Sequence, residues 1–246
     1  MDYPQHPQAE TRLTSAFVAG ATGYTGREVV QALLAAGVDV VAHVRPDSTT
    51  LDAWRARFEA QGARVDTTSW QPGAMQATLA ALGPDLVFAL LGTTRARARR
   101  AARAHAIETY ETIDYGLSMV LYEAARRVGS RPRFVYLSAV GVRPGVRGAY
   151  MAARARVEET VKHGELPYVI ARPSFITGPD RDEFRLGERL AAKVMDGLLG
   201  LIGLLGARRT RERYRSTTSA VLARALVRAA LDPGAENRVL ESAELH

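Results

Sequence analysis

Short apolar runs alternate along the chain with stretches whose apolar residues recur at the spacing of an amphipathic helix. The short runs predict strands, and the stretches that follow them predict helices. Gly37 and Gly83 mark the ends of two of these helices, since glycine readily adopts the left-handed backbone that ends a helix. The predicted strands cover residues 13–19, 38–44, 63–68, 85–92, 133–140 and 167–173, and the predicted helices cover 24–36, 51–62, 72–83, 114–129, 150–164 and 219–231.

This alternation predicts an α/β protein with a doubly wound parallel sheet and right-handed crossovers. The uniformly apolar run over 85–92 is typical of a strand buried on both faces. After Pro173 the alternation weakens, so residues 174–215 are expected to form a small C-terminal cap on the substrate side. Residues 1–12 are predicted to be a disordered N-terminal tail, and residues 13–246 a single domain.

The composition of the chain excludes several kinds of chemistry. The 246 residues include no cysteine, so disulfides, thiolate nucleophiles and cysteine-ligated zinc are excluded, and the five histidines are too scattered to predict a metal site. The N-terminus lacks the apolar core of a signal peptide, and the glycine-leucine stretch 197–207 is too short to span a bilayer. We therefore expect a cytoplasmic protein without membrane contact. The stretch 197–207 itself is interpreted as a buried cap helix, with a pocket wall or a subunit contact as alternatives.

The formal net charge of +7 raises the question of a nucleic-acid partner. All but two of the 33 basic residues are arginines, which together with abundant alanine suggests a composition bias. The basic segment 94–106 has no interleaved aromatic residues that would stack on bases. We interpret it as a solvated helix or mobile loop, with an anion-binding site as the alternative, and expect no nucleic-acid partner.

The motif GATGYTG, residues 20–26, lies where the first predicted strand becomes the first predicted helix. In this context the first glycine permits a tight turn, the second lets the backbone approach a pyrophosphate, and the third lets helix and strand pack closely. The phosphates would lie at a helix N-terminus, where N–H groups and the helix dipole favour an anion. Three glycines that merely shape a turn are the alternative. The predicted cofactor-binding residues here are Gly20, Thr22, Gly23, Tyr24, Thr25 and Gly26.

The end of the second predicted strand bears on the choice of dinucleotide. Arg45 follows this strand, and a guanidinium can pair with the 2′-phosphate of NADP(H) through two hydrogen bonds. NADP(H) is therefore favoured over NAD(H), although Asp47 is a candidate ribose ligand and Arg45 a candidate solvated loop residue. Asp66, after the third strand, is assigned to the adenine edge, with a plain turn aspartate as the alternative.

Six motifs carry a family resemblance: VAGATGYTGREVV, FALLGTTR, ETIDY, FVYLSAVG, YMAAR and ARPSFITG. They occur in the order seen in short-chain dehydrogenase/reductases, and the chain most resembles the atypical branch that includes NAD(P)H-binding NmrA-like proteins and Tat-interacting-protein oxidoreductases. The resemblance implies NADP(H) binding by the Rossmann-like domain and a catalytic Ser-Tyr-Lys constellation. Ser138 and Tyr150 match the family's serine and tyrosine, but Arg154 stands where the family has lysine.

Carbonyl reduction needs a proton for the developing alkoxide, and a tyrosine hydroxyl can supply it where a nearby cation stabilises the phenolate. Arg154 lies four residues after Tyr150 and therefore on the same helix face. Ser138 would hydrogen-bond the carbonyl oxygen. Arginine keeps the charge of the family lysine but cannot relay a proton. A strand-end hydroxyl and a half-buried helix-start aromatic are the alternatives for Ser138 and Tyr150.

The ends of the fourth and sixth predicted strands supply the remaining candidates. Leu91, Gly92 and Thr93 are expected to line the nicotinamide side, with helix capping as the alternative for Thr93. Pro173 follows the sixth strand, where open α/β sheets bind ligands, with a rigid turn as the alternative.

These observations predict an NAD(P)-dependent oxidoreductase, with NADPH-dependent reduction of a carbonyl or related group in a small-molecule substrate. The first alternative is an NADP(H)-binding redox sensor without turnover, which the departure at Arg154 leaves open. A nucleotide-sugar epimerase or dehydratase is a weaker alternative on the same fold. The protein is expected to be a monomer or a homodimer.

Overall fold

A computed structural model of the protein describes residues 13–92, 109–174, 176–177 and 217–246. Its strands are β1 (Ser15–Ala19), β2 (Asp39–His43), β3 (Arg64–Asp66), β4 (Leu86–Ala89), β5 (Arg133–Leu137), β6 (Tyr168–Arg172), β7 (Ile176–Thr177), β8 (Thr217–Thr218) and β9 (Arg238–Glu241). Seven of them form one parallel sheet in the order β3-β2-β1-β4-β5-β6-β9. Strands β7 and β8 form a separate parallel pair. The predicted α/β, doubly wound parallel sheet is confirmed.

Helices cover both faces of this sheet. They are α1 (Tyr24–Ala35), α2 (Leu51–Ala60), α3 (Pro72–Leu82), α4 (Ser118–Ala125), α5 (Ala149–His163) and α6 (Ser219–Leu231), with a π-helical segment (Tyr110–Leu117) before α4 and short 3₁₀ turns at Pro233–Ala235 and Ser242–Glu244. The predicted bounds of α6 are confirmed at both ends, and Gly83 ends α3 in the left-handed conformation. Local signals therefore located the helices well.

The core has two layers, one on each face of the sheet. Helix α1 packs against α6 on one face, and α3 packs against α4 on the other. Successive residues of β1 enter opposite layers, since Val18 belongs to the first and Phe17 to the second, and both are fully buried. Burial on both faces explains why the central strands are apolar throughout.

The structure differs from the predicted elements in several places. Strand β9 was not predicted, because four residues beside short 3₁₀ turns give too little pattern, yet it pairs with β6 along the register Ile170↔Val239. The helix predicted from residue 114 begins earlier, with the π-helical segment that Thr109 caps through its hydroxyl and that of Thr112. The predicted strands 85–92 and 133–140 are too long, since β4 ends at Ala89 and β5 ends at Leu137.

Several predictions fall outside the described residues. These are the tail 1–12, the basic segment 94–106, Thr93, the stretch 197–207 and most of the cap 174–215. The division into tail, domain and cap stays a prediction. In the part of the chain that the structure describes, no helix combines the length and the apolarity needed to cross a membrane.

Candidate cofactor and active site

The connections that leave the carboxyl ends of β1 and β4 run to opposite sides at the centre of the sheet. The chain leaving β1 returns to β2 on one side, while the chain leaving β4 returns to β5 on the other. Open α/β sheets bind ligands in the crevice at such a switch point. All strands of the sheet are parallel, so the residues after them lie along this same edge: Gly20 after β1, Leu90–Gly92 after β4, Ser138 after β5 and Pro173 after β6.

Residues 20–26, which we call the glycine turn, comprise the β1–α1 connection and the first three residues of α1. Gly20 has a positive φ of 81°, and an added Cβ would lie 2.6 Å from the carbonyl oxygen of Leu90. A Cβ on Gly26 would overlap the carbonyl oxygen of Gly20. The Gly23 N–H donates to that same oxygen at 3.0 Å and closes the turn. Gly20 and Gly26 thus stand where backbone segments meet too closely for a side chain.

Helix α1 begins within the glycine turn, at Tyr24. Gly23 precedes it without a side-chain cap, and its first turn holds no acidic residue. Thr25 is buried, while Thr22 and Tyr24 are half-buried at the surface of the turn. A helix N-terminus without a side-chain cap or an acidic residue suits an anion, because the free N–H groups and the positive end of the helix dipole face the bound anion. The residues present therefore fit a dinucleotide pyrophosphate.

Arg45 and Asp66 lie at the ends of β2 and β3. The side chain of Arg45 is 37% exposed, and its Nε lies 3.7 Å from the Asp47 carboxylate, which is an exposed pairing. The Asp66 carboxylate accepts hydrogen bonds from the backbone N–H and the hydroxyl of Thr68, at 3.0 and 2.8 Å. These bonds are those of a turn aspartate, and the adenine contact stays a prediction.

The predicted pair of Tyr150 and Arg154 is brought together on α5. The Arg154 guanidinium carbon lies 4.8 Å from the centre of the Tyr150 ring. The Tyr110 ring also meets the Tyr150 ring edge-on, with ring centres 5.3 Å apart. The tyrosine ring is therefore in contact with one cation and one aromatic neighbour.

Arg154 is only 5% exposed and is held by the ends of two strands and the π-helical segment. It donates to the carbonyl of Leu137, to that of Leu91 at 3.4 Å, and to Asp114 Oδ1 at 3.0 Å. Burial lowers the pKa of Arg154, but the neighbouring tyrosines and Asp114 outweigh it and raise that pKa above its ordinary value. An added Cβ on Gly92 would lie 2.8 Å from Arg154 Nη2, so Gly92 gives the guanidinium room.

Ser138 has a partner that was not predicted. Its hydroxyl donates to Glu158 Oε1 at 2.6 Å, and both residues are almost fully buried. Glu158 also accepts from Lys162 at 2.8 Å and from Arg172 Nη2 at 2.6 Å. Burial raises the pKa of Glu158, but the bonds from Arg172, Lys162 and Ser138 outweigh it and lower that pKa. The ionised Glu158 carboxylate can only accept hydrogen bonds, so the Ser138 hydroxyl uses its proton in the bond to Glu158.

We call Asp114, Ser138, Tyr150, Arg154 and Glu158 the charged edge. Sequence reasoning found three of its members and missed Asp114 and Glu158. Glu158 lies four residues after Arg154 on α5, and Asp114 is an acid in the otherwise apolar and aromatic run Ile113–Leu117. Both acids can be recognised in the sequence, but their positions do not indicate which residues they contact.

The other predicted residues have structural contacts of their own. Leu91 is buried and supplies a carbonyl to Arg154, and Pro173 is buried and accepts the Val140 N–H at 2.9 Å. Their contacts with a nicotinamide stay predictions. Within the described ranges, no group of three or more acidic or histidine side chains is placed to hold a metal ion.

A doubly wound parallel sheet with a glycine turn at its switch point defines a Rossmann-like dinucleotide-binding protein. The chain belongs to the NAD(P)H-binding family, whose family model matches residues 20–198. This agrees with the resemblance to the atypical short-chain dehydrogenase/reductases.

The chain is also similar to curated proteins in sequence and to solved structures in fold. The chain is 26% identical over 196 residues to the mitochondrial protein FMP52 of Coccidioides immitis, covering 76% of this chain and 72% of the relative. It is 28% identical over 200 residues to FMP52 of Candida albicans, covering 78% and 80%. In fold it is similar to the oxidoreductase ylbE of Lactococcus lactis, with a TM-score of 0.60, 14% identity and coverage of 92% and 89%. The UDP-Glc/GlcNAc 4-epimerase of Campylobacter jejuni gives a TM-score of 0.65, 13% identity and coverage of 94% and 81%.

The expectation of a cytoplasmic protein is wrong on these comparisons. The curated relatives are named as mitochondrial proteins. The expectation depended on a missing signal peptide and a missing membrane span, and neither feature bears on import into an organelle.

Proposed function

We propose that the protein is an NADPH-dependent oxidoreductase that reduces a carbonyl or related group, with Tyr150 as the proton donor. The observation that carries the proposal is the contact of Tyr150 with the Arg154 guanidinium, at the sheet edge that also holds the glycine turn. A bound nicotinamide dinucleotide would supply the hydride. The protein's own residues would do the rest.

The glycine turn would bind the pyrophosphate, and Arg45 the 2′-phosphate. Tyr150 would donate its proton to the developing alkoxide, and Arg154 would stabilise the phenolate that remains. Because Arg154 stays protonated, the proton would return to Tyr150 from a group other than Arg154.

A second function has an observation in its favour. The Ser138 hydroxyl is bonded to Glu158 and Arg154 is bonded to Asp114, so two of the three predicted catalytic groups already have protein partners. This arrangement favours an NADP(H)-binding sensor that signals to a protein partner without efficient turnover.

Cofactor preference is tested by titrating purified protein with NADPH and NADH while following nucleotide fluorescence. Replacing Arg45 with Ala should weaken NADPH binding about tenfold to thirtyfold, or roughly 1.4–2 kcal/mol, and leave NADH binding unchanged. Arg55→Ala removes a comparably exposed arginine from α2 and should change neither affinity. Equal wild-type affinities for the two nucleotides would contradict the preference, and binding of neither would overturn the cofactor site.

The proton donor is tested with Tyr150→Phe in a screen of carbonyl compounds that follows NADPH oxidation. The variant should lose about a hundredfold or more in kcat with NADPH affinity unchanged. Tyr115→Phe is the matched control, because Tyr115 contacts Arg156 and not Arg154. Turnover that survives in Tyr150→Phe would contradict the assignment. Wild-type protein that binds NADPH and reduces none of the compounds would favour the sensor.

A further inference from the structure

The π-helical segment contacts both members of the Tyr150–Arg154 pair. Tyr110 and Asp114 are four residues apart on this segment, as Tyr150 and Arg154 are on α5. The Tyr110 ring lies edge-on to the Tyr150 ring, and Asp114 Oδ1 lies 3.0 Å from Arg154 Nη2. Two neighbouring contacts therefore join the same faces of the two elements.

The contact of Asp114 with Arg154 is a buried ion pair. The Asp114 side chain is fully buried and that of Arg154 is 6% exposed. A buried guanidinium is very unfavourable unless a charge partner and hydrogen-bond acceptors surround it. Asp114 supplies the charge, and the carbonyls of Leu91 and Leu137 supply further acceptors. Asp114 therefore fixes the position of the Arg154 guanidinium, which contacts the Tyr150 ring.

The segment that carries Asp114 is itself held in place. Thr109 and Thr112 cap its first turn through their hydroxyls and backbone N–H groups. The buried Ser118 hydroxyl donates to the Asp114 carbonyl oxygen at 2.7 Å. A π-helical turn departs from the ordinary helical ladder, and such turns are frequent at functional sites. Here the turn presents one aromatic ring and one carboxylate to α5.

We propose that Asp114 and Tyr110 are positioning residues, which hold Arg154 and Tyr150 in the geometry that proton donation requires. The role in catalysis rests on the function proposed above, whereas the geometric role does not. The same segment offers a comparison, because Glu111 pairs with Arg156 of α5 at 2.7 Å on the exposed surface. Asp114 and Glu111 thus each form an ion pair with an arginine of α5. The Asp114 pair is buried next to Tyr150, and the Glu111 pair is exposed to solvent.

The test is ¹⁹F NMR of the full chain labelled with 3-fluorotyrosine, in which the Tyr150 signal is identified by its loss in Tyr150→Phe. Asp114→Asn should displace the Tyr150 signal by more than its line width, because the guanidinium beneath the ring loses its anchor. Glu111→Gln removes the equivalent charge from the same segment and should leave that signal in place. An unmoved signal in Asp114→Asn, or equal displacement in both variants, would overturn the proposal.

A second pair of variants covers the case that Asp114→Asn does not fold. Tyr110→Leu removes the neighbouring ring and should displace the Tyr150 signal, whereas Tyr110→Phe keeps the ring and should restore it. If Tyr110→Leu leaves the signal unmoved, the positioning role of Tyr110 is wrong.

Activity separates this inference from the proposed function. With a carbonyl compound that the wild type reduces, Asp114→Asn should lose at least tenfold in kcat with NADPH affinity unchanged, and Glu111→Gln should lose nothing. If the NMR displacement occurs but the wild type reduces no carbonyl, the geometric role stands and the reductase proposal fails. If the wild type is active and Asp114→Asn keeps its kcat, the positioning proposal fails instead.

Discussion

The glycine turn and the charged edge are two halves of one candidate site, built in opposite ways. The glycine turn is seven consecutive residues whose close backbone contacts exclude side chains at Gly20 and Gly26. The charged edge consists of side chains from the π-helical segment, the end of β5 and α5, and its contacts join Arg154 to a residue 40 positions earlier. The glycine turn therefore depends on the absence of side-chain atoms at two positions. The charged edge depends on charged side chains that are paired in the protein interior.

This difference determines what should damage each half. The glycine turn should tolerate changes of charge nearby but no added Cβ, because the atoms in the way belong to the backbone. The charged edge should tolerate small changes of shape better than the loss of a charge, since an unpaired buried ion is strongly destabilising. Three experiments separate these sensitivities, in order of expected effect.

The largest effect is expected from Glu158→Gln, which removes the shared partner of Arg172 and Lys162. Breaking a buried ion pair costs about 3–5 kcal/mol, and we expect about 3 because Arg172 keeps its bond to Glu241. The free energy of unfolding in a denaturant titration measures the loss.

The control for this variant is Glu123→Gln on α4, which breaks an exposed pair with Arg126 at the end of that helix. An exposed pair of this kind contributes little to stability, because water and salt screen its charges, so this variant should lose far less than Glu158→Gln. Equal losses in the two variants would mean that burial does not govern the charged edge.

The next effect is expected from Gly26→Ala, whose Cβ would overlap the Gly20 carbonyl oxygen. Displacing backbone in a packed region costs about 1–3 kcal/mol, so NADPH binding should weaken about tenfold to a hundredfold in a fluorescence titration. Gly73→Ala on α3 is the control, because its Cβ would meet nothing within 4 Å and NADPH binding should not change. Unchanged binding in Gly26→Ala would show that the glycine turn does not hold the cofactor.

The smallest effect is the dependence of stability on pH that Glu158 of the charged edge contributes. The pKa of Glu158 is lowered in the folded protein, so its share of stability is complete above the ordinary value near 4.5 and is lost as the pH falls. The wild type should therefore lose unfolding free energy more steeply below pH 4.5 than Glu158→Gln. Gly26→Ala should keep the wild-type slope.

Other carboxylates do not obscure this comparison. Burial raises the pKa of Asp85, but hydrogen bonds from Thr14 and Ser15 outweigh it and lower that pKa. Asp85 therefore makes the same contribution to the pH dependence of unfolding in the wild type, Glu158→Gln and Gly26→Ala. Parallel slopes for the wild type and Glu158→Gln would contradict the assigned role of Glu158.

The sequence predicted six of the seven strands of the sheet, most helices and the glycine turn, because the signal for each lies in neighbours within a few positions. It also predicted the contact of Tyr150 with Arg154, which follows from their spacing on one helix. It missed the partners of Ser138 and Arg154, since Glu158 and Asp114 reach them from other elements. Spacing along the chain carries no signal for which distant carboxylate meets a given arginine. The π-helical segment was missed for a related reason, because apolar periodicity does not distinguish its wider turn over eight residues.

The pairing of β9 with β6 has a consequence for the order in which the site forms. The bond between Arg172 and Glu241 joins residues 69 positions apart, as does the adjacent pairing of Ile170 with Val239. Closing so long a loop is entropically unfavourable, and such contacts tend to form late in folding. Until β9 docks, Arg172 has Glu158 as its carboxylate partner but lacks Glu241. The polar network behind Ser138 is therefore completed only with the outermost strand, and slow local opening of that strand in the native protein would loosen the network from its outer side.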